Sequence, residues 1–251
     1  MRIRLDRWLT ALALASRSEG KVLIRRGAVT VNGRTVLDPG AVFETEEAHL
    51  ALGGRPIDGR TERHVMMNKP SGLLTAARDR KQPTVMDLLP PSYASLGCMP
   101  AGRLDKDTTG ILFLTTDGEL NHRLLSPGRH VDKVYRARVS GRLTEADVRA
   151  FAAGLALSDF TAMPAELLIL EAGDAESLGE VTVSEGKFHQ VKRMFAATGH
   201  EVLALRRERF GPLEMDGTLA EGQWRELKDA ERDALYAVAG LERRGEETSH
   251  E

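Results

Sequence analysis

Apolar residues near the start of the chain recur at helical spacing: Leu5, Trp8, Leu9, Leu12 and Ala13 fall on one side, with Asp6 and Arg7 on the other. The spacing predicts an amphipathic helix. Ser16-Arg17-Ser18-Glu19 has the spacing of a capping box, and the helix it opens runs through Val22, Leu23 and Arg25-Arg26 to Gly27, which suits a left-handed stop. Alternation then replaces helical spacing. Val29 to Val36 alternates around Asn32-Gly33, a pair that tolerates positive φ at both positions of a tight hairpin turn. A helix, helix, hairpin unit over residues 1–52 follows. The breaker-rich stretch Gly53-Gly54-Arg55-Pro56-Ile57-Asp58-Gly59-Arg60 predicts a linker over 53–63.

The larger part, 64–238, opens with a strand-like His64-Val65-Met66-Met67 stopped by Asn68-Lys69-Pro70, and has a second apolar run, Ile111 to Thr116, ending at Asp117-Gly118. Thr144 and Asp147 are spaced to cap a helix that Gly154 closes, Ala165–Leu170 and Gly179–Val183 read as strands, and Phe188–Thr198 reads as a helix ended by Gly199. Strands outnumber helices without regular βαβ alternation. The fold class is therefore α+β, a small helical and hairpin domain followed by one built on a mixed, largely antiparallel sheet. Residues 239–251 are predicted to be an acidic, disordered tail.

Composition narrows the setting. With 251 residues and 41% apolar content the chain is an ordinary globular protein of one or two domains. Its single cysteine, Cys98, excludes an internal disulfide and any multi-cysteine zinc site, and no apolar run reaches the roughly 18 residues of a membrane helix. The N-terminal Met1-Arg2-Ile3-Arg4 and following Trp8–Ala15 imitate a signal peptide, but the helical spacing accounts for more of the segment. A reducing, cytoplasmic location without a membrane is expected. A net charge of −2 hides an asymmetry: residues 1–34 carry eight Lys/Arg against two acids, and residues 213–251 carry eleven acids against five bases. A basic end of this kind is either a solvated face or a polyanion-facing module.

The densest polar constellation is Gly102-Arg103-Leu104-Asp105-Lys106-Asp107-Thr108-Thr109-Gly110, feeding directly into the apolar run at Ile111. It reads as a capped turn, or as the D-x-D-x-T of metal-dependent phosphatases, although there the apolar strand comes first and here it follows. Period two along Lys133–Val139 places Lys133, Tyr135, Ala137 and Val139 on one face, so Tyr135 points inward as a core residue or as a flat surface for a base. In Gly186–Phe195, Phe188, Val191 and Phe195 form an apolar stripe, and His189, Lys192 and Arg193 lie on another face. His189 by itself reads as a satisfied histidine, not as a metal ligand.

Four ordered motifs then resemble the RsuA-type ribosomal RNA pseudouridine synthases. They are Asn68-Lys69-Pro70-x-Gly72; Gly102-Arg103-Leu104-Asp105-x-Asp107-Thr108-x-Gly110; Lys133-x-Tyr135; and Ser184-Glu185-Gly186-Lys187-x-His189-Gln190-Val191-Lys192-Arg193-Met194-Phe195. The first unit, from Arg4-Leu5-Asp6 through Ser16-Arg17 to Val31-Asn32-Gly33, is similar to an S4 RNA-binding domain. The resemblance implies uridine isomerisation: the C1′–N1 bond breaks, the uracil turns, and C5 joins C1′, with neither cofactor nor metal. It implies that Asp105 is the catalytic aspartate, that Tyr135 packs on the base and that Lys192 pairs with the aspartate. It further implies that Arg103 helps extrude the base, that Leu205 lines the pocket, and that His189 and Arg193 contact substrate. Arg4, Arg17, Arg25, Arg26 and Arg34 would face RNA phosphates. The details around Leu205–Gly211, with Lys at 192, are most similar to the small-subunit branch, which implies ribosomal RNA as partner, within an assembling small subunit or free; a monomer is the default expectation. Large-subunit rRNA as substrate, a non-catalytic S4 protein and the phosphatase are the competing expectations.

Overall fold

A computed structural model of the chain describes residues 1–242. It divides into two units, the first comprising residues 1–63, 86–99 and 115–117. In this unit the elements are β1 (Arg2–Arg4), α1 (Leu5–Ala11), α2 (Arg17–Arg25), β2 (Val29–Val31), β3 (Arg34–Thr35), β4 (Val42–Glu44), β5 (Leu50–Leu52), β6 (Arg55–Ile57) and α3 (Pro91–Ser95). Strands β3-β2-β5-β6 form one sheet in that order, and β1 pairs with β4. Ser16 accepts from the Glu19 amide and Glu19 caps the Ser16 amide in return, a reciprocal cap that holds α2 by about 1 kcal/mol. Asn32 (φ 52°) and Gly33 (φ 75°) make the predicted hairpin turn, with Val31 opposite Arg34. Leu5, Trp8, Leu9, Ile24 and Val29 are fully buried together.

Three expectations change here. The predicted linker contains a strand: Gly53 and Gly54, both at positive φ, turn β5 back into β6, and Leu50, Ala51 and Leu52 pair with Ile57, Pro56 and Arg55. Breaker residues signal a reversal as readily as a linker, and period-two runs of three residues are too short to tell the two apart. Gly59 belongs to this core as well, because the buried Trp8 Nε1 donates to its carbonyl at 2.7 Å. Asp6 does not face solvent but is 7% exposed, because Arg4 grips its carboxylate through Nε and Nη2 and the Arg7 amide donates to it. Helix α1 also stops at Ala11, and Ala13 (φ 55°) is exposed outside it.

The second unit comprises residues 64–85, 100–114 and 118 onward. Its elements are β7 (His64–Lys69), β8 (Met99–Pro100), β9 (Thr109–Thr115), α4 (Gly118–Leu125), β10 (Lys133–Ser140), α5 (Glu145–Ala153), β11 (Glu166–Ala172), β12 (Glu176–Val183), α6 (Gln190–Ala197), β13 (Val202–Phe210), β14 (Leu213–Glu214), β15 (Trp224–Glu226) and α7 (Asp229–Ala239). The main sheet runs β11-β12-β10-β13-β9-β7-β15, with β14 beside β13 and β8 beside β9. Strands β9 and β13 are parallel, whereas β10, β11, β12, β14 and β15 pair antiparallel, so the sheet is mixed as its residue pattern predicts. Met66, Ile111, Phe113, Phe210 and Leu235 are completely buried in one cluster that also includes Leu120 of α4 and Tyr236 of α7. Two residues of the predicted tail belong to the folded unit, since Ala239 ends α7 and Gly240 (φ 63°) caps it, and the part of the predicted tail from 243 to 251 lies outside the described residues.

Strand β7 is buried along its whole length and continues past the expected stop through Asn68 and Lys69. Polar residues survive there because they are bonded: Asn68 donates to the Leu219 carbonyl at 2.7 Å and accepts from Arg206 at 3.2 Å. Where β9 meets β13, Gly110 faces Arg207 at φ 98°, and a Cβ there would overlap the Arg207 carbonyl oxygen and lie 2.8 Å from its amide nitrogen. Backbone cannot retreat as a flexible side chain would. Gly110→Ala is therefore expected to lose on the order of 3 kcal/mol or more of stability in urea unfolding, and a loss under about 1 kcal/mol would show that the two strands can separate at this point.

Candidate active site

Asp105 sits on the loop between β8 and β9, and the loop is fixed from three sides. Thr75 Oγ1 donates to the Leu104 carbonyl at 2.8 Å and lies 3.2 Å from the Leu104 amide that donates to it. The Gly72 amide donates to the Lys106 carbonyl at 2.8 Å, and the Thr108 amide to the Asp105 carbonyl at 3.1 Å. Beneath them lies Lys69, with no solvent exposure, its ammonium donating to the carbonyls of Pro70 (3.0 Å), Lys106 (3.2 Å) and Thr108 (3.0 Å). Three carbonyls match the three donors of an ammonium. Burial nonetheless pushes the Lys69 pKa down to about 8, against the attraction of Asp107 and Asp105.

The loop forms one wall of an open cleft of about 430 Å³, whose lining includes Arg103, Asp105, Tyr135, His189, Lys192 and Leu205. Strand β10 brings Tyr135 opposite Val181 and Arg207, and β13 supplies Leu205. Lys192, on the first turn of α6, lies between the two carboxylates of the loop: its ammonium is 2.6 Å from Asp107 Oδ1 and 3.5 Å from Asp105 Oδ2. The expected Lys192 to Asp105 pairing is thus shared, and the shorter bond goes to Asp107, whose carboxyl it holds below the usual range. A cation occupies the space between the carboxylates, where a D-x-D-x-T site would need to present both to a metal.

His189 differs from its expected place on a helix face. It precedes α6 as the capping residue in a left-handed conformation (φ 51°, ψ 29°), which turns its Nε2 to 3.5 Å from Asp105 Oδ1. Phe188 is likewise outside the helix and 71% exposed, so of the predicted apolar stripe Val191 and Phe195 remain, and Met194 is buried beside them. Arg193 does not line the cleft. Its guanidinium binds Ser158 and Asp159 and lies over the Phe160 ring at 5.0 Å. In the first unit, Arg17, Arg25, Arg26 and Arg34 are exposed, whereas Arg4 is committed to Asp6.

Several supporting residues escape a reading of the sequence. Arg207 is 2% exposed, donates to the Ile111 carbonyl at 2.9 Å and lies over the rings of Tyr135 and Phe210 at 6.0 and 5.1 Å. The signal for it was period two along the strand, which sets Arg207 on the same face as Leu205. Gln190 ties the opposite wall, accepting from the Lys187 amide and donating to Glu185, which also accepts from the Met163 amide.

Residues 63–197 match the family described as RNA pseudouridylate synthase, and residues 3–47 match the S4 domain. The chain belongs to the RNA pseudouridylate synthase family. Among curated relatives, the uncharacterized RNA pseudouridine synthase YtzG of Bacillus subtilis is 38% identical over 93% of this chain and 98% of its own length. The proteins named ribosomal small subunit pseudouridine synthase A of Pseudomonas aeruginosa and Escherichia coli K12 are 38% and 36% identical, each over 91% of this chain and 98% of their own. A crystal structure of a pseudouridylate synthase superposes with a TM-score of 0.64 at 33% identity, covering 93% of this chain and 99% of that one. As a pseudouridine synthase with an S4 domain, the protein acts on RNA and is an isomerase.

The buried Lys69 of this synthase makes a pH prediction. Its pKa is about 8 in the folded protein against 10.5 in the unfolded chain, so between these values the unfolded state holds more protons and folding stability rises with pH. Lys69→Met removes that linkage. Urea unfolding is expected to show the gap between wild type and Lys69→Met widening from pH 8 to pH 10, and a constant gap would contradict the buried ammonium.

Proposed function

We propose that this synthase isomerises one uridine of small-subunit ribosomal RNA to pseudouridine, with Asp105 as its catalytic carboxylate. The supporting observation is the convergence of Asp105, Tyr135, Lys192 and Leu205 on a single cleft from four separate elements. The choice of the small subunit rests on the names of relatives aligned over nearly the whole chain.

Chemistry at C1′ requires the nucleotide to leave its stack, since neither the glycosidic bond nor C5 is reachable inside a helix. Tyr135, backed by the Arg207 guanidinium, supplies a flat ring for the extruded uracil, and Leu205 (7% exposed) supplies an apolar edge. Arg103, exposed at the rim, is placed to fill the vacated position. Asp105 keeps about a quarter of its side chain exposed, with the Lys192 ammonium and the His189 imidazole each 3.5 Å away, so the carboxylate is open to the substrate and has a cation beside it that counters the negative charge of RNA. In the overall exchange the C1′–N1 bond is broken, the C1′–C5 bond is made, N1 gains a proton and C5 gives one to solvent. Asp105 serves this exchange as nucleophile or base.

Arg17, Arg25, Arg26 and Arg34 of the S4 domain would add phosphate contacts, making RNA affinity fall with salt. An rRNA substrate also places the enzyme in the cytoplasm, acting on free RNA or on an assembling subunit. Small-subunit rRNA carrying tritium at C5 of uridine tests the assignment. Wild type is expected to release label in step with pseudouridine formation and Asp105→Asn to lose at least about 10³-fold in rate while binding RNA with nearly unchanged affinity. Release by Asp105→Asn at a rate near wild type would remove Asp105 from the chemistry, and release only from large-subunit rRNA would reassign the substrate.

A further inference from the structure

The cleft does not end at Asp105. Phe188 projects beside it with 71% of its surface exposed, the largest exposure among the exposed large apolar residues of the described chain. Its ring is stacked on the imidazole of His189 at 3.8 Å between centroids with the planes 17° apart. His189 in turn reaches Asp105. The two rings thus form a stack that starts at the carboxylate and ends in solvent with an uncovered aromatic face.

The backbone is constrained to produce this arrangement. A left-handed φ of 51° at His189 is unfavourable for any residue with a side chain, by roughly 1 kcal/mol, and it is this turn that sets the imidazole toward Asp105. Arg193 adds an anchor, donating to the Phe188 carbonyl at 3.4 Å while its other nitrogen is held by Ser158 and Asp159. His189 lines the cleft together with Arg103, Lys187 and Lys192, and Phe188 continues the stack outside that lining; the Lys187 ammonium lies over the Phe160 ring at 4.8 Å and the Lys192 ammonium is bonded to Asp107. An exposed aromatic face with a cationic rim, continuous with a uridine pocket, has the chemistry that receives an unpaired nucleobase and its phosphate.

We propose that Phe188 and His189 form a stacking platform for a nucleotide flanking the target uridine, which holds the strand open after the uridine has turned out. This rests on Asp105 marking the uridine site. Stacking on a flat face is indifferent to base identity, so the platform accepts any base. It fixes the position of the strand and does no chemistry.

The experiment measures pseudouridine formation by wild type, Phe188→Ala, Phe188→Leu and Phe188→Trp on ribosomal RNA of both subunits. It is then repeated on a short transcript around the modified uridine in which each flanking nucleotide in turn lacks its base. The Ala and Leu variants are expected to lose about tenfold in kcat/KM, chiefly through KM, with Trp retaining wild-type values. Removing one flanking base should cost wild type a similar factor and cost Phe188→Ala nothing further, the signature of a shared contact. Wild-type kinetics for Phe188→Leu, or losses that add to those of every abasic substitution, would overturn the platform. Failure of the functional assignment shows separately, as small-subunit RNA left unmodified by wild type, and the variant ratios on whichever RNA is modified still decide the platform.

Discussion

A fully buried ammonium group organises the loop that forms one wall of the cleft. Lys69 ends β7 beneath the loop that carries Asp105, and its ammonium donates to the carbonyls of Pro70, Lys106 and Thr108, the second of which also accepts from the Gly72 amide. A buried ammonium left without acceptors would carry a large desolvation penalty, so the lysine and the three carbonyls hold one another in place. Two of the three acceptors, Lys106 and Thr108, bracket Asp107 and follow directly on Asp105. Fixing them fixes the direction in which both carboxylates leave the backbone. Thr75 clamps the residue before Asp105, and Gly110 lets β9 approach β13 closely enough that Arg207 can reach the Ile111 carbonyl.

From this loop the electrostatics of the cleft follow. Lys192 bridges Asp105 and Asp107, giving its shorter bond to Asp107, so Asp105 has a cation beside it without being fully engaged. A carboxylate clasped as tightly as Asp6 is by Arg4 would be a poor nucleophile or base. Arg207 places a second, permanent positive charge behind Tyr135, while Arg193, which by sequence looked equivalent to Lys192, is spent on the loop at Ser158–Asp159 and on the backbone of Phe188. Neighbouring residues of α6 thus divide the work: one lines the cleft and one supports its wall.

Much of this was legible in the residues. The Asn32-Gly33 turn, the Ser16 and Thr144 caps, the inward face of β10 and the α+β class all rest on local rules, and local rules suffice where neighbours in sequence are neighbours in space. Of the cleft residues, the inward direction of Tyr135 came from periodicity, whereas the roles expected of Asp105, Tyr135, Lys192 and Leu205 came from the family resemblance. What stayed hidden depends on tertiary partners. Lys69 and Arg207 are charged residues that composition assigns to the surface, and only their bonds to distant carbonyls explain why they are inside. Phe188 was placed in a core stripe because nothing local announces that the chain turns left-handed at His189. The strand at Arg55–Ile57 was read as linker because pairing with β5, not its own pattern, makes it a strand.

The claim that joins fold and function is that this loop presents Asp105 to one uridine of the small ribosomal subunit. Its most direct test is made in cells. Small-subunit rRNA from the source strain, from a strain lacking this gene, and from that strain complemented with wild type or Asp105→Asn is mapped for pseudouridine at single-nucleotide resolution. The account predicts that one pseudouridine disappears with the gene, returns with wild type and stays absent with Asp105→Asn. An unchanged map in the deletion strain, or a site restored by Asp105→Asn, would contradict it.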